Sequence, residues 1–171
     1  MARLFFAAWP GAQAVQALAE VARALADLAQ GKSVPQEKIH LTLAFLGEVT
    51  DEDAIRASGA AQHLSFPAFG MTLDRVGSFR GARVAWAGCA RTPPGLEGLQ
   101  SSLAGELARR GFSLEDRPFV AHVTLARRIA KAVQPAPMPP IEWQADELTL
   151  VRSETGSGRY TVLERWPLGG T

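Results

Sequence analysis

The sequence predicts an α+β fold of two pseudo-symmetric lobes, each with an antiparallel sheet and helices, facing one another across a central cleft. Apolar spacing alternates along the chain between the helical period and the strand period. The segment HLTLA at 40–44 returns as HVTLA at 122–126, with four identities in five. Helix and strand material precedes both copies, as expected if each lobe is built on one of them. A chain of 171 residues holds one core or two small lobes sharing an interface, so residues 1–171 are expected to form a single two-lobed domain.

The elements follow in order. Residues 3–9 (RLFFAAW) read as a buried strand, and Pro10-Gly11 turns the chain. Val15, Leu18, Ala19, Val21, Ala22, Leu25 and Leu28 then recur at helical spacing over 12–30, with Gly31 as terminator. Residues 39–46 alternate as a strand does, with Ile39, Leu41, Leu43 and Phe45 on one face and His40, Thr42 and Ala44 on the other. Gly47 is expected to end that strand. Thr50-Asp51-Glu52-Asp53 has the form of a helix N-cap with acids in the first turn, leading to a helix through His63. Residues 68–77 and 82–90 are expected to pair as a hairpin across Ser78–Gly81. Pro93-Pro94 opens a third helix whose stripe is Leu96, Leu99, Leu103 and Leu107, stopping at Gly111. A strand follows around 119–126. The proline-rich stretch 134–140 is expected to be a loop, with strands after it at 143–152 and 160–166.

Composition narrows the function classes. The hydrophobic fraction of 47% and the charged fraction of 20% are those of a globular chain. No apolar run is long enough to cross a bilayer and the start of the chain is strand-like, so a cytoplasmic protein away from membranes is expected, acting as a monomer. The single cysteine, Cys89, excludes an internal disulfide and a cysteine-rich zinc cluster, and its apolar setting marks it as a small buried hydrophobe. A net charge of +1 excludes bulk coating of long nucleic acids. Charge is nonetheless local: Arg117, Arg127, Arg128 and Lys131 fall in a stretch without acids, and Asp74–Arg91 holds four arginines against one aspartate. Either segment could hold a small anion.

The repeated element carries the chemistry. On a strand, residues two apart point the same way, so each copy presents an imidazole and a hydroxyl: His40 with Thr42, and His122 with Thr124. Two imidazoles on opposite flanks of one phosphate can serve as general base and general acid, since a pKa near about 6.5 lets one be neutral and the other charged. The hydroxyls can donate to non-bridging oxygens. A ribose 2′,3′-cyclic phosphate suits this set, because water attacks phosphorus on one side and a ribose oxygen leaves on the other. Arg127, three residues after Thr124, could neutralise phosphoryl charge. A zinc reading of the histidines lacks a third ligand near either motif. His63, near the end of the second helix, reads as a partner of the helix dipole. Phe45, Phe79 and Phe119 are core residues that could alternatively stack on a base.

At these residues the chain resembles the two-histidine phosphoesterase superfamily, and within it the RNA 2′,3′-cyclic phosphodiesterase branch, also called LigT-like or 2′-5′ RNA ligase-like. HLTLAFLG at 40–47 and HVTLAR at 122–127 carry the likeness, with RLFFAAW, GSFRGARVAWAG at 77–88 and LTLVRSETGSGRY at 148–160 beside them. The resemblance implies a bilobal fold with a water-filled cleft and metal-independent hydrolysis of a 2′,3′-cyclic phosphate to a 2′-phosphate, with no cofactor. It implies that His40 is the proton donor to the leaving 3′-oxygen and His122 the proton acceptor from water, an assignment the near-identical motifs leave open. Thr42, Thr124 and Arg127 carry over as phosphate-binding groups, and Arg117 is a candidate second phosphate contact. The partner is then RNA with a 2′,3′-cyclic phosphate end, or a small cyclic nucleotide. Ligation giving a 2′-5′ RNA linkage, or a non-catalytic RNA-end or nucleotide-binding module, are the alternatives.

Overall fold

The fold is that of a computed structural model, which describes residues 2–169. Nine strands and three α-helices follow one another as β1 (Ala2–Ala8), α1 (Ala12–Ala29), β2 (Lys32–Ser33), β3 (Leu41–Val49), α2 (Asp51–Gln62), β4 (Phe69–Phe79), β5 (Val84–Gly88), α3 (Pro94–Arg109), β6 (His122–Arg127), β7 (Ala136–Ala145), β8 (Glu147–Glu154) and β9 (Tyr160–Pro167). The strands hydrogen-bond in the order β7-β4-β5-β6-β3-β1-β8-β9, with β2 added against β6. All pairings are antiparallel. The two halves of this order meet at β6 and β3 through one register pair, Leu41 with Val123. Each half-sheet therefore forms a lobe, and the junction between them is the weakest seam of the sheet.

The helices cover one face. α1 leaves the lobe containing its own preceding strand and lies against β6, β5 and β7 of the other, while α2 and α3 pack together over β3. Leu96, Leu99, Leu103 and Leu107 of α3 are all fully buried, each contributing roughly 1.5–3 kcal/mol relative to exposure. Thr50 caps α2 through a complete capping box with Asp53, and His63 is its C-cap residue. A single apolar core runs beneath all three helices. On the opposite face a second, small cluster gathers Phe5, Ala7 and Val151 with Trp9, Tyr160 and Val162 at its edge. β1 thus buries both faces, its even positions under the helices and its odd ones toward this cluster.

Several expectations are corrected. Gly47 does not end β3: it sits at φ 74° where β3 bulges against β1, and pairing resumes to Val49. A further irregularity in the pairing lies between Phe6 and Ala7, so strict alternation fails and Phe45 leaves the core, half exposed. Leu28 of α1 is likewise exposed. α1 ends on Gln30 in the left-handed conformation, not on Gly31; Gly31 is required because a Cβ there would come within 2.7 Å of the Arg127 carbonyl oxygen. The stretch 134–140 is largely strand rather than loop. β7 tolerates Pro137, Pro139 and Pro140 because it is an edge strand, with β4 on one side and no further strand beyond among the described residues. Cys89 is partly buried, and burial with the nearby Asp74 charge pushes its thiol up to about 11.

Candidate active site

The two repeated segments meet at the seam. In an antiparallel pair a step forward on one strand is a step back on the other, so the Leu41–Val123 pair sets His40 across from Thr124 and Thr42 across from His122. Leu41 and Val123 are fully buried in the helix-covered core. Their neighbours in sequence therefore emerge together on the opposite face. Four side chains that lie 82 positions apart in sequence as two pairs become one cluster about a local two-fold axis.

The histidines are held in the same way. Nδ1 of His40 lies 2.7 Å from the carbonyl oxygen of Lys38, and Nδ1 of His122 lies 2.8 Å from that of Val120. A carbonyl oxygen only accepts, so Nδ1 donates in both rings and each neutral Nε2 keeps its lone pair. The Thr42 hydroxyl donates to Nε2 of His40 at 3.0 Å. Either Nε2 can take a proton, or give one once the ring is charged.

Their surroundings differ. Phe5 stacks on His40 at 4.9 Å between centroids, Trp9 lies at 5.1 Å and Tyr160 stands edge-on at 5.6 Å. Trp9 is fixed from behind: its indole N–H donates to Thr149 at 2.9 Å, and that hydroxyl donates to the Ala7 carbonyl at 3.0 Å. His122 meets Phe79 edge-on at 4.9 Å, and Phe79 packs on Trp86 at 5.5 Å. Trp86 lies flat over two glycines; a Cβ at Gly77 would come within 2.5 Å of the indole and one at Gly88 within 3.1 Å.

Both imidazoles resist protonation in the fold. Burial lowers His40 to about 4, with the Arg127 and His122 charges adding to the effect and the Lys38 carbonyl opposing it. Burial also lowers His122, again opposed by its backbone carbonyl partner and assisted by Arg127. A phosphate monoanion bound between the rings reverses this, since it favours imidazolium.

The structure brings His40, Thr42, His122 and Thr124 together and sets Arg127 at the end of β6, where its charge reaches both rings. Arg117 is not part of the group: it is exposed and paired with Glu115 at 3.0 Å. Phe119 packs on the core and Phe79 on His122, while Phe45 lies exposed on β3. Sequence reasoning assigned no role to Phe5, Trp9, Thr149, Tyr160 or Trp86. All five lie in the segments RLFFAAW, GSFRGARVAWAG and LTLVRSETGSGRY, which carry part of the resemblance, but which strand each lies beside is a matter of sheet order. Among the described residues, no three His, Cys, Asp or Glu side chains gather as a metal-ligand set, and no helix is long and apolar enough to cross a membrane.

The chain is similar to known proteins along most of its length. The family model of the 2′-5′ RNA ligase superfamily matches residues 8–157. An RNA 2′,3′-cyclic phosphodiesterase of Escherichia coli is 40% identical over 142 residues, 81% of this chain and 80% of that protein. One from Thermus thermophilus is 36% identical across 98% of this chain and 91% of its own length. The crystal structure of E. coli LigT complexed with 3′-AMP superposes with a TM-score of 0.89 at 36% identity, covering 98% of both chains. With the repeated histidines, the strand order and these matches in agreement, the chain belongs to the 2′-5′ RNA ligase superfamily of two-histidine phosphoesterases.

Proposed function

We propose that the whole chain works as one two-lobed domain that hydrolyses RNA 2′,3′-cyclic phosphate ends to 2′-phosphate ends without a metal, with His40 and His122 as the acid–base pair. The observation that carries this reading is the Leu41–Val123 pair, which puts two identically tethered histidines on one face with a threonine beside each. Relatives named RNA 2′,3′-cyclic phosphodiesterase support it.

In this reaction His122 Nε2 takes a proton from water as the water oxygen bonds to phosphorus, and the bond from phosphorus to the 3′-oxygen breaks. His40, charged once the phosphate is bound, gives its Nε2 proton to that oxygen. The product carries a 2′-phosphate and a free 3′-hydroxyl. Thr42 and Thr124 donate to the non-bridging oxygens and Arg127 offsets the charge that develops there. Ligation is the same displacement with a 5′-hydroxyl in place of water, and the family's name supports keeping it as the second reading.

The test is incubation with a short RNA ending in a 2′,3′-cyclic phosphate, with EDTA present, followed by identification of the terminus. A 2′-phosphate is expected. A 3′-phosphate reverses the roles of the two histidines, a joined product in the presence of a 5′-hydroxyl RNA favours ligation, and an unchanged end overturns the hydrolase reading.

A further inference from the structure

Beside the histidine cluster lies a groove of about 440 Å³ of which the motifs and the proposed chemistry use only Arg127, at its mouth. Lys32, Lys38, Arg127, Arg128, Ser153 and Tyr160 are among the residues lining it, and no acidic side chain does. None of its four cations is in an ion pair with a carboxylate among the described residues. A chain with a net charge of only +1 has thus gathered four cations around one concavity, a local field that favours an anionic ligand.

The groove opens from the His40 side. Tyr160 both lines it and stands against His40. Lys38 holds His40 through its carbonyl while its ammonium reaches the groove, 5.0 Å from the Tyr160 ring centroid and 2.6 Å from the Gly158 carbonyl oxygen. β2 adds to this wall: Lys32 of β2 pairs with Arg127 of β6, and Lys32 is exposed.

In-line displacement says what should lie there. The attacking water and the leaving oxygen stand on opposite sides of phosphorus, and the leaving oxygen remains part of the ribose. The ribose therefore lies on the side of the acid, His40, and whatever continues from its 5′-oxygen continues past His40. In a mononucleoside cyclic phosphate that is a hydroxyl. In an RNA strand it is the next phosphate.

We propose that this groove binds the internucleotide phosphate immediately 5′ of the terminal nucleotide, through Lys32 and Arg128, so that the enzyme selects the end of an RNA strand over a cyclic mononucleotide. The proposal rests on the hydrolase reading above. Arg127, at the mouth, stays with the reacting phosphate, and Lys32 and Arg128 set specificity without touching the reacting atoms.

Three substrates test it: adenosine 2′,3′-cyclic phosphate, an adenylyl dinucleotide ending in the cyclic phosphate, and that dinucleotide with its internucleotide link made a neutral methylphosphonate. In the wild-type protein kcat/KM is expected to be about tenfold or more higher for the phosphate-linked dinucleotide than for the methylphosphonate, the scale of a charge-assisted contact. In the double variant Lys32→Gln/Arg128→Gln that ratio is expected to fall toward one. Equal turnover of the two dinucleotides by the wild type overturns the proposal without any variant having to fold. A ratio that persists in the variant places the contact elsewhere and overturns it as well. Hydrolysis of all three with no preference overturns the groove alone, whereas hydrolysis of none overturns the hydrolase reading on which it rests.

Discussion

Two imidazoles with the same backbone tether end up in different aromatic surroundings, and burial makes both resist protonation. His40 is boxed by Phe5, Trp9 and Tyr160, whereas His122 has an aromatic edge from Phe79. His40→Ala and His122→Ala are each expected to lower kcat by about 10²–10⁴, the scale of a lost general acid or base. The double variant should be little worse than either single, since the two act in one step; near wild-type turnover in either single variant would remove the pair from the mechanism. The pH profiles carry a further consequence. Both free-enzyme pKa values lie below the ordinary imidazole value, and kcat/KM reports the free enzyme while kcat reports the complex. Bound phosphate stabilises imidazolium and raises the acid's pKa, so the alkaline limb of kcat is expected at higher pH than that of kcat/KM. Coincident limbs would show that the ligand's charge does not reach the acid.

Strands position the site, and what they require of their neighbours is most exacting at the glycines. Trp86 on β5 can lie flat only because Gly77 on β4 has no side chain. The indole supports Phe79, which supports His122. Gly77→Ala is therefore expected to lower kcat although no reacting group is altered, and to reduce stability by about 1–3 kcal/mol, as overpacking does. Urea denaturation beside single-turnover kinetics separates the two effects, and unchanged kcat would mean that the Trp86–Phe79 support is not needed. The elements most legible from sequence are those with a strong local signal: α3 with its leucine stripe, α2 with its N-cap threonine and first-turn acids, and the two histidine strands. Those misread lacked one. The prolines of β7 forbid a central strand but not an edge strand, and edge position is not encoded in the segment. β2 is two residues long and exists only as a partner of β6.

For the whole molecule, placing His40 against apolar rings makes stability depend on pH. An unfolded imidazole takes a proton near about 6.5, whereas in the folded protein His40 resists until about pH 4. Unfolding therefore takes up a proton between those values. The stability due to a neutral His40 is complete above pH about 6.5 and is lost as pH falls toward 4, amounting to about 3 kcal/mol. Urea unfolding at pH about 7.5 and about 4.5 should show this loss in the wild type and a smaller one in His40→Gln, which has nothing to protonate there. An equal loss in both would place the acid sensitivity in other groups.

The α+β class, the helices, the histidine strands and the family were all readable in the sequence, because periodicity, caps and a duplicated HxTLA segment are local signals that survive without coordinates. Candidate residues His40, Thr42, His122, Thr124 and Arg127 came from the same source. Tertiary structure decided what those residues meet. It set β6 beside β3 so that the two copies share one seam, brought Phe5, Trp9 and Tyr160 from β1, its following turn and β9 around His40, and laid Trp86 across glycines from two different strands. It also gathered Lys32, Lys38, Arg127 and Arg128 into one groove. The physical reason is that strand order and burial depend on contacts between residues far apart in the chain, and pKa values and charge clusters follow from those contacts rather than from any one segment.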